Sequence, residues 1–197
     1  MQSLTRNEAR IVDFLIRNFM EKNSINEIGR RLKISPRGAY MILKKLERLK
    51  AAIPEKIGNA IYYKINLDEE IGAKLSEYVL VQNELNAYSQ LLAEDLMPLR
   101  KIALGCVLFG SVLTRGREVN DIDLLIMLEK KDFGKIKNAL DEIKALKPKK
   151  LHEVMQTRED LLNNIRKKDE VILEIMKKGR VLWGAEVIVE AIRNGAG

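Results

Sequence analysis

Apolar residues recur along this chain with two periods, and the change from one to the other divides it. Ile11, Val12, Leu15, Ile16 and Phe19 return every three or four positions, the spacing that lays one helix face on a core. Thr5 and Glu8 precede them as a capping box, and Ser24 with Glu27 repeats that signal before a short helix through Ile25, Ile28 and Leu32. Ser35-Pro36 breaks the chain and restarts it, since Pro suits a first helical position and Ser caps it. Ala39, Ile42, Leu43, Leu46 and Leu49 form the inward stripe of a third helix from about Pro36 to Lys50. Ile53, Lys56-Ile57, Gly58-Asn59 and Ile61 to Ile65 predict a hairpin closed by a Gly-Asn turn. Asp68, Glu69 and Glu70 then open a helix whose stripe of Ile71, Leu75, Tyr78, Leu85, Leu92 and Leu96 meets no Gly or Pro between Ala73 and Met97.

After Pro98 the pattern changes to short apolar runs separated by helical stretches. Leu104 to Phe109 and Ile122 to Leu128 read as buried strands. Asp132 to Leu146 is amphipathic through Phe133, Ile136, Leu140 and Ile143, and Lys147-Pro148-Lys149-Lys150 ends it. Leu151 to Met155 predicts a third strand. Thr157 to Asn164 and Asp169 to Lys178 predict helices, Gly179 to Gly184 a short strand or turn, and Ala185 to Ile192 a last helix. The expected class is α+β in two domains: residues 1–66, a connector at 67–97, and a mixed sheet with helices at 98–197. Pairing of the connector with its twin would give a homodimer; packing on the chain's own domains is the other reading.

Helix, short helix, tight turn, helix and hairpin is the order of a winged helix-turn-helix, and residues 1–66 resemble the winged-helix domains of bacterial and archaeal transcription regulators. The resemblance implies that the third helix enters the major groove of double-stranded DNA. Its outward side carries Arg37, Tyr40, Lys44, Lys45 and Arg48, with Ser35 at its start able to donate to a phosphate. A solvated basic face on a protein-binding module would look the same.

Composition adds limits. The 197 residues suffice for two small cores, and 46% hydrophobic with 32% charged content describes a globular protein. A formal net charge of +7 favours polyanionic partners. The single cysteine, Cys106, sits in an apolar run and reads as a small core residue. Charged residues within the first fifteen and the lack of any membrane-length apolar run point to a cytoplasmic chain without a signal peptide or membrane partner.

The candidate chemistry lies between Val107 and Leu128. Gly110 lets the chain turn sharply and approach a ligand, and Ser111 stands where a helix and its free amides would begin. Asp121 and Asp123 share one strand face because side chains alternate. Two neighbouring carboxylates repel unless a cation joins them, and a hard oxygen-seeking ion, most plausibly Mg2+, meets that need. A strand–loop–strand whose aspartates merely cap it is the plain alternative.

Phe109-Gly110-Ser111, a gap of nine residues containing Arg115-Gly116, and Asp121-Ile122-Asp123-Leu124-Leu125 together resemble the DNA polymerase β superfamily of nucleotidyltransferases, most closely its minimal nucleotidyltransferase branch. The resemblance covers roughly residues 98–190. It implies transfer of a nucleoside monophosphate from an NTP to an acceptor hydroxyl, with Asp121 and Asp123 as catalytic Mg2+ ligands. Gly110 and Ser111 would cradle the triphosphate, and Arg115 would neutralise the leaving pyrophosphate unless it is an ordinary surface arginine. The family's third carboxylate, a general base, lies on the strand after the following helix. That strand offers Glu153 beside His152, the only histidine, and matches no defined motif. A second reading therefore stays open: a regulator or antitoxin-like protein whose transferase half binds only nucleotide or a partner toxin.

Overall fold

A computed structural model describes residues 4–82, 84–146 and 148–196. It has the mixed helix-and-sheet composition of the α+β class, in two compact units, one reaching to Leu80 and one from Val81 to Gly195.

The first unit runs α1 (Arg6–Arg17), β1 (Asn23–Ser24), α2 (Ile25–Leu32), α3 (Pro36–Arg48), β2 (Ala52–Ile57), β3 (Ala60–Ile65) and α4 (Glu70–Val81). Local signals set its helix starts. Thr5 and Glu8 cap α1 reciprocally, Ser24 accepts from the Glu27 amide, and Ser35 accepts from the Gly38 amide with Pro36 in the first turn. Ile11, Leu15, Ile28, Ala39, Leu43 and Leu46 are buried and form the core between the three helices. The hairpin pairs Ile57 with Ala60 across Gly58-Asn59, and the sheet order is β1-β3-β2. Leu49 departs from its expected inward position: it is the C-cap of α3 and lies exposed, while Ala51 takes the buried place.

The single helix expected across residues 67–97 is two. α4 stops at Val81, and α5 (Ala87–Asp95) starts afresh from Asn86, whose backbone is extended. The Asn86 side chain accepts from the Ser89 amide and donates to the carbonyls of Val112 and Leu113. That tertiary anchoring ends the apolar stripe without Gly or Pro, and a coiled coil of that length goes with it. Residues 67–80 belong to the first unit. Gly72 packs so closely on Asn66 that a Cβ there would stand 1.8 Å from the Asn66 carbonyl oxygen. Residues 81–97 belong to the second unit, so no separate connector remains.

The second unit continues with β4 (Gly105–Phe109), α6 (Val112–Arg115), β5 (Asp121–Leu128), α7 (Phe133–Ala145), β6 (Lys150–Thr157), α8 (Arg158–Arg166), α9 (Glu170–Lys178), β7 (Arg180–Trp183) and α10 (Ala185–Gly195). Its sheet order is β6-β5-β4-β7, with β5 parallel to β6 and the other neighbours antiparallel. α7 supplies the crossover that a parallel pair requires. Ile122, Leu124, Ile126 and Leu128 project from one face of β5 into a core shared with Leu92, Leu99, Ile136 and Leu140. Leu125 and Met127, on the other face, are also fully buried. β5 is therefore a central strand covered on both sides, which is why its apolar run is continuous. Cys106 is buried here, and burial pushes its thiol up to about 12, which leaves it an inert core residue. No helix among the described residues is long and apolar enough to cross a membrane.

Candidate functional site

Strand register assembles the site. Asp121 and Asp123 stand at the start of β5, half-exposed, between buried Ile122 and Leu124. Phe109 pairs with Asp123, so the turn after β4 arrives beside that carboxylate. Gly110 has φ +78, and a Cβ on it would lie 2.2 Å from Asp123 Oδ2. Only glycine lets the backbone come so close to the acid. Ser111 follows, exposed, and α6 is a single turn in which the amides of Thr114 and Arg115 donate to the Ser111 carbonyl.

On the other side, β6 pairs His152 with Asp123 and Glu153 with Leu124. Paired residues in a sheet share a face, so His152, not Glu153, looks toward the acid pair. His152 Nδ1 stands 3.9 Å from Asp121 Oδ2 and 3.8 Å from Asp123 Oδ1, close but beyond hydrogen-bond length. Glu153, expected as the third acid, lies on the opposite face, where Lys144 Nζ of α7 donates to it at 2.6 Å. The expectation failed by one residue, the smallest slip that reverses a face. Burial raises the Asp123 carboxyl above its ordinary value; the His152 charge opposes that rise and the Asp121 charge adds to it. A cation between the aspartates would relieve both the desolvation and the repulsion.

The donor set fits a hard divalent ion. Mg2+ is ordinarily held by one or two carboxylates, waters and substrate phosphates rather than by a closed protein cage. Asp121 and Asp123 supply the two carboxylates, and among the described residues no group of three or more His, Cys, Asp or Glu side chains forms such a cage.

Residues 92–186 match the family model described as Polymerase beta, Nucleotidyltransferase. This nucleotidyltransferase-type region starts within α5, ends within α10 and contains the Gly110-Ser111 turn, the acid pair and His152. No protein of curated function matches the chain. Two solved structures of variants of Lactococcus lactis ZitR align with TM-scores of 0.34 and 0.33 and identities of 18% and 14%. They cover 71% and 72% of this chain and 75% and 78% of their own.

Beside α6 of the nucleotidyltransferase-type region lies an open cavity of about 350 Å3, lined by Asn86, Ala87, Tyr88, Thr114, Arg115, Gly116 and Arg117. Arg115 thus faces a cleft rather than packed protein. Of the lysines in the Lys147-Pro148-Lys149-Lys150 break, Lys149 donates to the Val119 carbonyl at 2.7 Å and also to that of Arg117. Lys147 lies outside the described residues.

In the first unit, the candidate DNA-binding residues of α3 divide. Arg37, Tyr40 and Arg48 are exposed along one side, together with Met41, which the apolar pattern did not single out. Arg37 and Arg48 form no ion pair among the described residues. Ser35 is the N-cap, its oxygen accepting from the Gly38 amide. Lys44 Nζ binds Glu47 Oε2 at 2.9 Å, and the buried Tyr63 hydroxyl donates to the same oxygen at 2.8 Å. Lys45 is turned away from the outward face: its Nζ donates at 2.8 Å to Glu8 of α1, which is buried. Burial would raise the Glu8 carboxyl, but the bonds from Lys45 and Thr5 outweigh that and hold it below its ordinary value.

Proposed function

We propose that the second unit is a Mg2+-dependent nucleotidyltransferase that moves a nucleoside monophosphate from an NTP to an acceptor hydroxyl. The observation that carries this reading is the approach of the Gly110 backbone to Asp123, with Asp121 one alternation away on the same face. Asp121 and Asp123 hold the ion, which when bound supplies charge neutralisation to the phosphates. The Gly110-Ser111 turn receives the triphosphate tail, and Arg115 offsets charge on the departing pyrophosphate. The acceptor oxygen bonds to the α-phosphorus as the bond to the bridging oxygen breaks, and the hydroxyl proton passes to a nearby base. His152, on the strand where the family resemblance calls for a third carboxylate, faces the acid pair, and its imidazole is the base to which we assign that proton.

The first unit is, in this reading, a winged helix-turn-helix that binds double-stranded DNA through Arg37, Tyr40 and Arg48, with Ser35 on a phosphate. Lys44 and Lys45 contribute less because each already serves an internal carboxylate.

One observation favours a second reading. With His152 in place of a third acid, the same fold suits a regulator or antitoxin-like protein that binds nucleotide, or a partner toxin, without turnover. The test incubates the full chain with α-labelled ATP, CTP, GTP or UTP, Mg2+ and cell extract as the acceptor source. The transferase reading expects label on an acceptor, abolished in Asp121→Asn/Asp123→Asn. Nucleotide binding with no label in any extract overturns it in favour of the sensor.

A further inference from the structure

The turn assigned to the triphosphate is held only in part by its own segment. α6 is four residues long, and a single turn fixes its dihedrals for too few hydrogen bonds to keep its shape alone. Inside it the amides of Thr114 and Arg115 and the Thr114 hydroxyl donate to the Ser111 carbonyl, and the Gly116 amide donates to that of Val112. The carbonyls of Val112 and Leu113, the first two residues after Ser111, are also gripped from outside, by the first turn of α5. Asn86 Nδ2 donates to the Val112 carbonyl at 2.9 Å and to the Leu113 carbonyl at 3.2 Å, while its Oδ1 accepts from the Ser89 amide at 2.9 Å. Ser89, fully buried, adds a longer bond at 3.5 Å from its hydroxyl to the Val112 carbonyl. Asn86 thus caps the start of α5 and ties down α6 at once. The task needs two donors and an acceptor on one short side chain. Asparagine supplies them, whereas an ionised aspartate cannot donate and serine carries a single hydrogen.

We propose that Asn86 is a positioning residue for nucleotide binding: its grip on α6 sets where Ser111 and Arg115 meet the triphosphate. The inference rests on the transferase reading for the nucleotide and on the hydrogen bonds for the grip. Ser111 is the N-cap of α6 and Arg115 its last residue, so releasing the Val112 and Leu113 carbonyls between them frees both ends. Gly110, which leads into the turn, has no side chain with which to brace it. A positioning group touches no reacting atom, yet a displaced anchor costs affinity or rate because the ligand is then held in the wrong place. Asn86 precedes the matched residues 92–186, so the group that steadies the turn lies outside the family region. The plainer role, a cap for α5 and nothing more, makes a different prediction, because serine caps a helix about as well as asparagine does.

The test compares the full chain with Asn86→Ser, which keeps the cap on α5 and loses the reach to α6. Two readouts are taken: calorimetric affinity for MgATP, MgCTP, MgGTP and MgUTP, and hydrogen exchange at the Thr114 and Arg115 amides. Asn86→Ser is expected to weaken whichever nucleotide the wild-type chain binds by roughly 5- to 10-fold, the worth of one or two net hydrogen bonds. Exchange at the two amides should quicken, since α6 opens more often once it is released. Asn86→Asp also keeps the cap but sets a carboxylate against two carbonyls, and should lose at least as much. Ala93→Gly weakens α5 while leaving the Asn86 bonds in place, and should change neither readout. Thermal melting checks that each variant is folded. Unchanged affinity in Asn86→Ser and Asn86→Asp overturns the proposal, whatever the exchange shows. An equal loss of affinity in Ala93→Gly overturns it too, because Asn86 would then act only through the stability of α5. Failure of the wild-type chain to bind any of the four nucleotides overturns the transferase reading and the positioning role together. Faster exchange in Asn86→Ser would in that case leave Asn86 a clasp of the fold alone.

Discussion

The outward side of α3 and the acid pair on β5 are both surfaces of charged residues beside a core, yet they are built differently. The α3 surface comes from one segment, where helical period alone selects Arg37, Tyr40, Lys44 and Arg48. The acid site comes from three segments brought together by register: the β4 turn, the start of β5, and β6 some thirty residues later. A local pattern errs by degrees, as when Lys45 leans toward α1 to reach Glu8. A register errs by inversion, because a slip of one residue sends a side chain through the sheet.

After loss of the acid pair itself, the largest expected effect tests that inversion. His152→Ala should slow nucleotidyl transfer by about 100-fold, the lower range for losing a general base. Glu153→Gln should leave transfer unchanged and cost only the pairing with Lys144. The opposite ranking would mean that β6 is shifted by one residue. Stability offers the counterpart for α3. Lys45→Met leaves the Glu8 carboxylate buried without its cation and should destabilise the first unit by about 1–3 kcal/mol, read by urea denaturation, with little change in DNA affinity. Arg48→Gln should do the reverse, weakening DNA binding without moving the denaturation midpoint.

How much was readable follows the same division. The element order came from periodicity and caps, because those signals are local: Thr5-Glu8, Ser24-Glu27 and Ser35-Pro36 each mark a helix start that the structure has. The strand pair around Gly110-Ser111 and the alternation of Asp121 and Asp123 were readable for that reason too. What could not be read needed tertiary information. His152 against Glu153 depends on how β6 slides along β5. The break before α5 depends on Asn86 reaching the Val112 and Leu113 carbonyls. The turning of Lys45 depends on where α1 lies.

Smaller effects sharpen the contrast. Gly110→Ala forces a side chain into a left-handed backbone and against Asp123, and should cost about 1–2 kcal/mol from conformation alone, together with loss of nucleotide affinity. A clean melt and unchanged affinity would mean that the turn is not where nucleotide sits. The smallest effect is a pH dependence. Glu8 has a folded-state pKa below its ordinary value of 4.5, so its stabilisation is present above that value and fades as pH falls through the depressed one. Glu8→Gln should remove that part of the acid dependence, seen as a flatter stability–pH curve below about pH 5.

The central claim is that Asp121 and Asp123 act with the Gly110-Ser111 turn to hold a metal-bound nucleotide. Isothermal titration of the full chain with MgATP, MgCTP, MgGTP and MgUTP tests it without any need for an acceptor. The account predicts saturable binding of at least one of them that vanishes when EDTA replaces Mg2+ and in Asp121→Asn/Asp123→Asn. Binding that survives both changes, or no binding by the folded wild-type chain, would contradict it.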